Sequence, residues 1–63
     1  MEPVYGKKGL ILGWITRGLH GEFDYCTVIH AMTDYCGYKS KSSAVRSLKK
    51  RVKKEALEVL DNL

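Results

Sequence analysis

Positive charge is concentrated between residues 39 and 54, where eight of the sixteen residues are Lys or Arg and none is acidic. Ammonium and guanidinium groups in such a run favour a polyanionic partner, because they neutralise phosphates and release the counterions condensed on them. Ser40, Ser42 and Ser43 add hydroxyl donors of the kind that contact phosphate oxygens. The chemistry predicted here is the binding of a nucleic-acid backbone.

The net charge of +4 belongs to the C-terminal part of the chain. Residues 1–38 carry three Lys or Arg against four acids, whereas residues 39–63 carry eight against three. A segregated charge of this kind points to a specific polyanion site more than a uniform one would. The predicted contacts with DNA all lie in this part: Lys39, Ser40, Lys41, Ser42, Ser43, Arg46, Ser47, Lys49, Lys50 and Lys53.

Other chemistries find little support in the residue pattern. Cys26 and His30 stand four positions apart, as two metal ligands on one helical face would, but His20 and Cys36 complete no closed set. No carboxylate pair, activated nucleophile or glycine-rich phosphate loop marks a catalytic site. We therefore expect neither enzymatic activity nor a metal or other cofactor.

The chain also lacks the pattern of a membrane or exported protein. No apolar run approaches the roughly 20 residues of a membrane span, and no signal-peptide pattern is present. Two cysteines make no disulfide framework and are read as reduced thiols. A cytoplasmic protein without membrane contact is expected, and 63 residues suffice for one small domain.

Helical spacing dominates the middle of the chain. Asp24 is a good N-cap, and the apolar residues that follow it recur with a 3.6-residue period. Gly37 stands where a left-handed residue often ends a helix. These features predict a helix over residues 24–36 and a turn over residues 37–41.

The N-terminal part is less clear. Residues 1–6 are read as an arm, and residues 7–18 as a support helix because Leu10, Ile11, Trp14 and Ile15 fall at helical spacing. Gly9 and Gly13 weaken that helix. A strand over residues 10–16 stays open, since Ile, Trp and Thr also favour strands.

The basic segment itself is predicted to be a helix over residues 41–57, capped by Ser40. Its bases lie toward the N-terminus and its acids toward the C-terminus, which is the reverse of what the helix dipole prefers. An anion held near the N-terminal end would offset that cost. Residues 56–63 could continue the helix or form a strand.

The side chains of this helix also predict its contacts. The acids could form i, i+4 pairs, Arg51 with Glu55 and Lys54 with Glu58. The apolar stripe of the helix comprises Val45, Leu48, Val52, Ala56, Val59 and Leu63.

The order of helix, Gly-Tyr-Lys-Ser turn and basic helix resembles a helix-turn-helix of the winged-helix repressor type. The residues that carry it lie between about 24 and 57: Ile29 and Met32 before the turn, and Val45 and Leu48 after it. The resemblance implies an all-α, tri-helical domain, with room for a short C-terminal wing strand. It also makes the basic helix a recognition helix in the major groove, with Arg46 against a guanine edge.

The sequence thus predicts a small double-stranded-DNA-binding protein, a transcriptional regulator or accessory factor of a phage or mobile element. A homodimer is expected through the apolar C-terminal residues Leu57, Val59, Leu60 and Leu63. The alternative function is a phage-type inhibitor that binds a host protein. The alternative fold is α+β, a two-stranded sheet with one long basic helix, in which the segments around Leu10 and Thr27 are the strands. In addition, "GYKSKSSAV" (residues 37–45) is similar to the strand-to-helix step of small YegP-like domains.

Overall fold

Four antiparallel strands and one helix make up the computed structural model, which describes all 63 residues. The sheet has the order β1-β2-β3-β4, and the helix lies against one of its faces. The all-α, tri-helical prediction is therefore wrong, and the α+β alternative is closer, with four strands in place of two. The elements are β1 (Glu2–Tyr5), β2 (Ile11–Arg17), β3 (Phe23–Thr27), β4 (Tyr35–Tyr38) and α1 (Lys41–Asp61).

The helix predicted over residues 24–36 is replaced by β3, a loop and β4. Phe23, Tyr25 and Thr27 alternate along β3, so that their side chains share the face that α1 covers. Asp24, expected as an N-cap, lies inside this strand. Gly37 does have a left-handed backbone, with φ 92°, but it ends no helix and lies in β4 where the register with β3 is irregular.

The support helix predicted over residues 7–18 is also wrong. Residues 7–10 belong to the connection between β1 and β2, where Gly9 has φ 75°, and β2 begins at Ile11. The strand alternative for residues 10–16 is confirmed. The N-terminal arm is likewise a strand, since β1 pairs with β2 and places Val4 opposite Gly13.

The core lies between α1 and the central strands and consists of Val4, Ile15, Tyr25, Ala44 and Leu48. Close approach of the β3 backbone, with Leu48 of α1 also in contact, requires a glycine in β2. A Cβ at position 13 would collide with the backbone carbonyl of Cys26 and would lie 3.0 Å from Cδ1 of Leu48. No helix covers the other face of the sheet.

The basic helix begins where the sequence predicts. Ser40 is the N-cap, and the backbone N–H of Ser43 donates to its hydroxyl oxygen over 3.2 Å. The helix continues to Asp61, beyond the predicted end at residue 57, so no wing strand forms. Its first turn contains no acid and its last turn no base, which confirms the charge order opposed to the dipole. It is not long and apolar enough to cross a membrane.

Candidate nucleic-acid interface

One side of α1 faces the sheet and the other is left to solvent. Ala44, Leu48 and Val52 are buried against the strands. Residues about half a helical turn from that line point away from the sheet. This surface, which we call the outer face, carries five exposed cations over about 12 Å of helix: Arg46, Lys49, Lys50, Lys53 and Lys54.

The cations of the outer face have no carboxylate partners. The ion pairs within 4.0 Å are Lys41 with Glu2 and a contact between His30 and Glu55. The expected i, i+4 pairs, Arg51 with Glu55 and Lys54 with Glu58, do not form. Glu55 instead turns toward the sheet, where its carboxylate accepts hydrogen bonds from the hydroxyls of Thr27 (2.5 Å) and Tyr35 (3.3 Å). The outer face therefore keeps its full positive charge.

A groove beside the outer face adds a cation from another part of the chain. The cavity, about 570 Å³, lies between α1 and the β1–β2 connection. Lys7 shares it with Lys49, Lys50 and Lys53, above an apolar floor that includes Leu12 and Val52. Sequence reasoning missed Lys7, and no local signal could have identified it, because only the fold brings the connection beside the helix.

The predicted contact residues divide into three groups. Ser42, Ser43, Arg46, Lys49, Lys50 and Lys53 are exposed on α1, and Lys39 is exposed just before it. Ser40 is occupied as the N-cap, and Lys41 is paired with Glu2. Ser47, predicted on the exposed face, instead faces the sheet and is half-buried.

Ser47 is held by two tyrosines. Its hydroxyl lies 2.8 Å from the hydroxyls of both Tyr25 and Tyr38. The pKa of Tyr38 falls below its ordinary value, chiefly because the hydrogen bond with Ser47 stabilises the phenolate. The pKa of Tyr25 rises, mainly because burial penalises its charged form. The serine is thus part of the packing between helix and sheet.

Arg51 joins the same cluster and was not among the predicted contacts. Its Nε–H donates to the Tyr25 hydroxyl over 2.8 Å, and its guanidinium carbon lies 3.8 Å from the centre of the Tyr35 ring. The hydrogen bond to Tyr25 is the main reason that the pKa of Arg51 is raised. These partners come from β3 and β4, so spacing along the chain gave no sign of them.

The Cys and His residues do not converge. Cys26 is buried in β3, His30 lies in the loop after it, and Cys36 is an exposed thiol in β4. Because residues 24–36 are not helical, the i, i+4 spacing of Cys26 and His30 does not describe one helical face. No three His, Cys, Asp or Glu side chains are grouped so that they could hold a metal ion.

No family model matches the chain, and no curated protein or solved structure matches it either. The function of the protein must therefore be inferred from the geometry and charge of α1 and its surroundings.

Proposed function

We propose that this protein binds double-stranded DNA through the outer face of α1. One observation carries the proposal: five exposed cations lie on one side of a helix, and none has a carboxylate within 4.0 Å. Like charges this close repel one another, so a helix under selection for stability alone would intersperse acids. The phosphates of a duplex that faces these cations would attract them and offset their mutual repulsion.

The shape of the molecule suits this role without a helix-turn-helix. An α-helix is about 10–12 Å across and fits a major groove about 12 Å wide. The sheet lies behind α1 and leaves its outer face free to approach the duplex. Lys7 and Lys54 flank the helix on opposite sides, where the two phosphate backbones would run. Arg46 is the candidate for a guanine edge. Binding through this surface would act by occupancy of the duplex, as in a regulator or accessory factor.

Duplex binding is tested by fluorescence anisotropy with a labelled duplex of about 20 base pairs at about 50 mM salt. We expect Arg46→Ala and Lys50→Ala each to weaken binding several-fold. Arg17→Ala is the matched control, because Arg17 stacks on Phe23 in the sheet and lies outside the outer face. Equal losses in the control would refute a localised site. An absence of binding would favour the inhibitor alternative, which capture of one host protein would then support.

We further propose that the chain forms a homodimer through the end of α1. Glu55 is its last buried residue, so the turns after it contribute no buried side chain to the packing against the sheet. Sedimentation analysis should show a dimer that Leu60→Glu converts to monomer, whereas Leu19→Glu in the β2–β3 connection should not. A monomeric parent protein would refute the dimer. The exposed apolar residues at this end are Leu57, Val59, Leu60 and Leu63.

A further inference from the structure

A basic cleft lies on the flank of α1, where it shares Lys50 and Lys54 with the outer face and adds Ser47 and Arg51. Ser47, Lys50, Arg51 and Lys54 line a cleft of about 260 Å³. Their spacing of three, four and seven residues places them on one side of the helix. The lining thus combines three cations and one hydroxyl, with no acid.

Arg51 is held in position before any ligand arrives. Its Nε–H is engaged by Tyr25, and its guanidinium group lies over the ring of Tyr35. The two terminal amino groups form no hydrogen bond or ion pair within the protein. A planar guanidinium fixed in this way offers two N–H donors in the geometry that phosphate oxygens accept, at a reduced cost in side-chain entropy.

Ser47 supplies a hydroxyl at the edge of the cleft. If Tyr25 and Tyr38 both donate to the Ser47 oxygen, the serine hydrogen is free to donate to a ligand. Arg51 donates to Tyr25 at the other end of this network, and in the same arrangement Tyr25 would donate onward to Ser47. A bound anion would accept from both ends of it.

Acidic groups lie on the neighbouring side of Arg51 but do not occupy the cleft. Glu55, Glu58 and His30 line an adjoining cavity together with Arg51 and Lys54. The Glu55 carboxylate is directed to Thr27 and Tyr35, and no carboxylate lies within 4.0 Å of either cation. The cations of the cleft are therefore available to an external anion.

We propose that this cleft binds a phosphate group, with Arg51 as a bidentate donor, Lys50 and Lys54 as flanking charges and Ser47 as a hydroxyl donor. The phosphate has two sources, a phosphodiester of the duplex backbone or a free phosphate monoester. This proposal is based on the geometry of the cleft, so it does not require that the protein bind a duplex.

The test monitors the Arg51 Nε–H signal by NMR while inorganic phosphate is added at constant ionic strength, with chloride as the balancing ion. We expect a saturable shift at Arg51 Nε–H in the parent protein. On the backbone amide signals of residues 47–54, which the parent and the variant both have, the affinity should be about tenfold weaker in Arg51→Lys, since a lysine loses the bidentate geometry. Arg17→Lys, which changes another stacked arginine, should bind phosphate as the parent does. No shift, or one that chloride reproduces, would overturn the proposal.

A second variant guards against a folding defect in Arg51→Lys. Lys50→Ala combined with Lys54→Ala alters exposed residues only, and it should weaken phosphate binding without changing the circular dichroism spectrum. Unchanged phosphate affinity in this folded variant would also overturn the site. If Arg51→Lys weakens duplex binding too, the phosphate is a backbone phosphodiester. If only inorganic phosphate binding is lost, the source is a free monoester.

Discussion

Replacing Gly13 with alanine changes the contacts that β2 makes with the backbone of β3 and with Leu48 of α1. In a sheet covered by α1, the new methyl group would meet the backbone carbonyl of Cys26 and would lie 3.0 Å from Leu48. If residues 7–18 formed the helix that their spacing predicts, the same substitution would stabilise the protein by about 0.5–1 kcal/mol, because glycine weakens helices. The sign of the effect therefore separates the two folds.

The expected loss of stability arises from the colliding atoms. A backbone carbonyl cannot move as a flexible side chain does, so β2 and β3 must separate locally, and the Leu48 side chain must also shift. Overpacking of this kind costs about 1–3 kcal/mol. A domain of this size has roughly 3–9 kcal/mol of total stability, which makes the loss a large fraction of it.

Urea unfolding, monitored by circular dichroism and by Trp14 fluorescence, measures the effect. Gly6→Ala is the matched control, because its Cβ would meet only the flexible side chain of Leu12, at 3.3 Å. We expect a clear loss of the free energy of unfolding at position 13 and a much smaller change at position 6. An alanine at position 13 that leaves stability unchanged or raises it would refute the close approach of β3 and Leu48 to β2 at this position.

Two further predictions concern the helix and its tyrosine contacts. Ser43→Glu completes a capping box with Ser40 and adds an acid to the first turn, so it should raise the free energy of unfolding by about 0.3–1 kcal/mol. The added negative charge should also weaken duplex binding. A variant that is stabilised but binds the duplex as before would contradict the role of charge in the first turn. Tyr38 should ionise below the ordinary tyrosine value near 10, so Tyr38→Phe should remove the first tyrosinate absorbance change on raising the pH. Because the folded pKa of Tyr38 is lowered, its contribution to stability is complete above the unfolded value and is lost as pH falls through the folded one. An early absorbance change that survives in Tyr38→Phe would show that another tyrosine ionises first.

The basic helix could be predicted because its signals are local. Ser40 caps it, Leu48 and Val52 mark its buried side, and the lysines between them are left outside. The buried stripe is nevertheless rotated from the predicted one, since Ala44 and Glu55 are buried in place of Val45 and Ala56. A buried glutamate was unpredictable because Thr27 and Tyr35, which bond it, come from distant strands.

The strands could not be recognised from periodicity alone. Cys26 is buried beside Tyr25 and Thr27, so neighbours on both faces of β3 are shielded and the alternation of apolar and polar residues disappears. The apolar residues of the loop after β3 complete a helical spacing by coincidence, and Met32 is almost fully exposed. Lys7 and Arg51 reach their sites through tertiary contacts that chain spacing does not encode.

The dependence of duplex affinity on salt is the most direct test of the central claim that the outer face of α1 binds DNA. Neutralisation of about five phosphates predicts a slope near −4.5 in a plot of log affinity against log salt concentration. Arg46→Ala and Lys53→Ala should each reduce the magnitude of this slope by about 1, whereas Arg17→Ala should leave it unchanged. A slope near zero, or one that these two substitutions do not alter, would contradict the account.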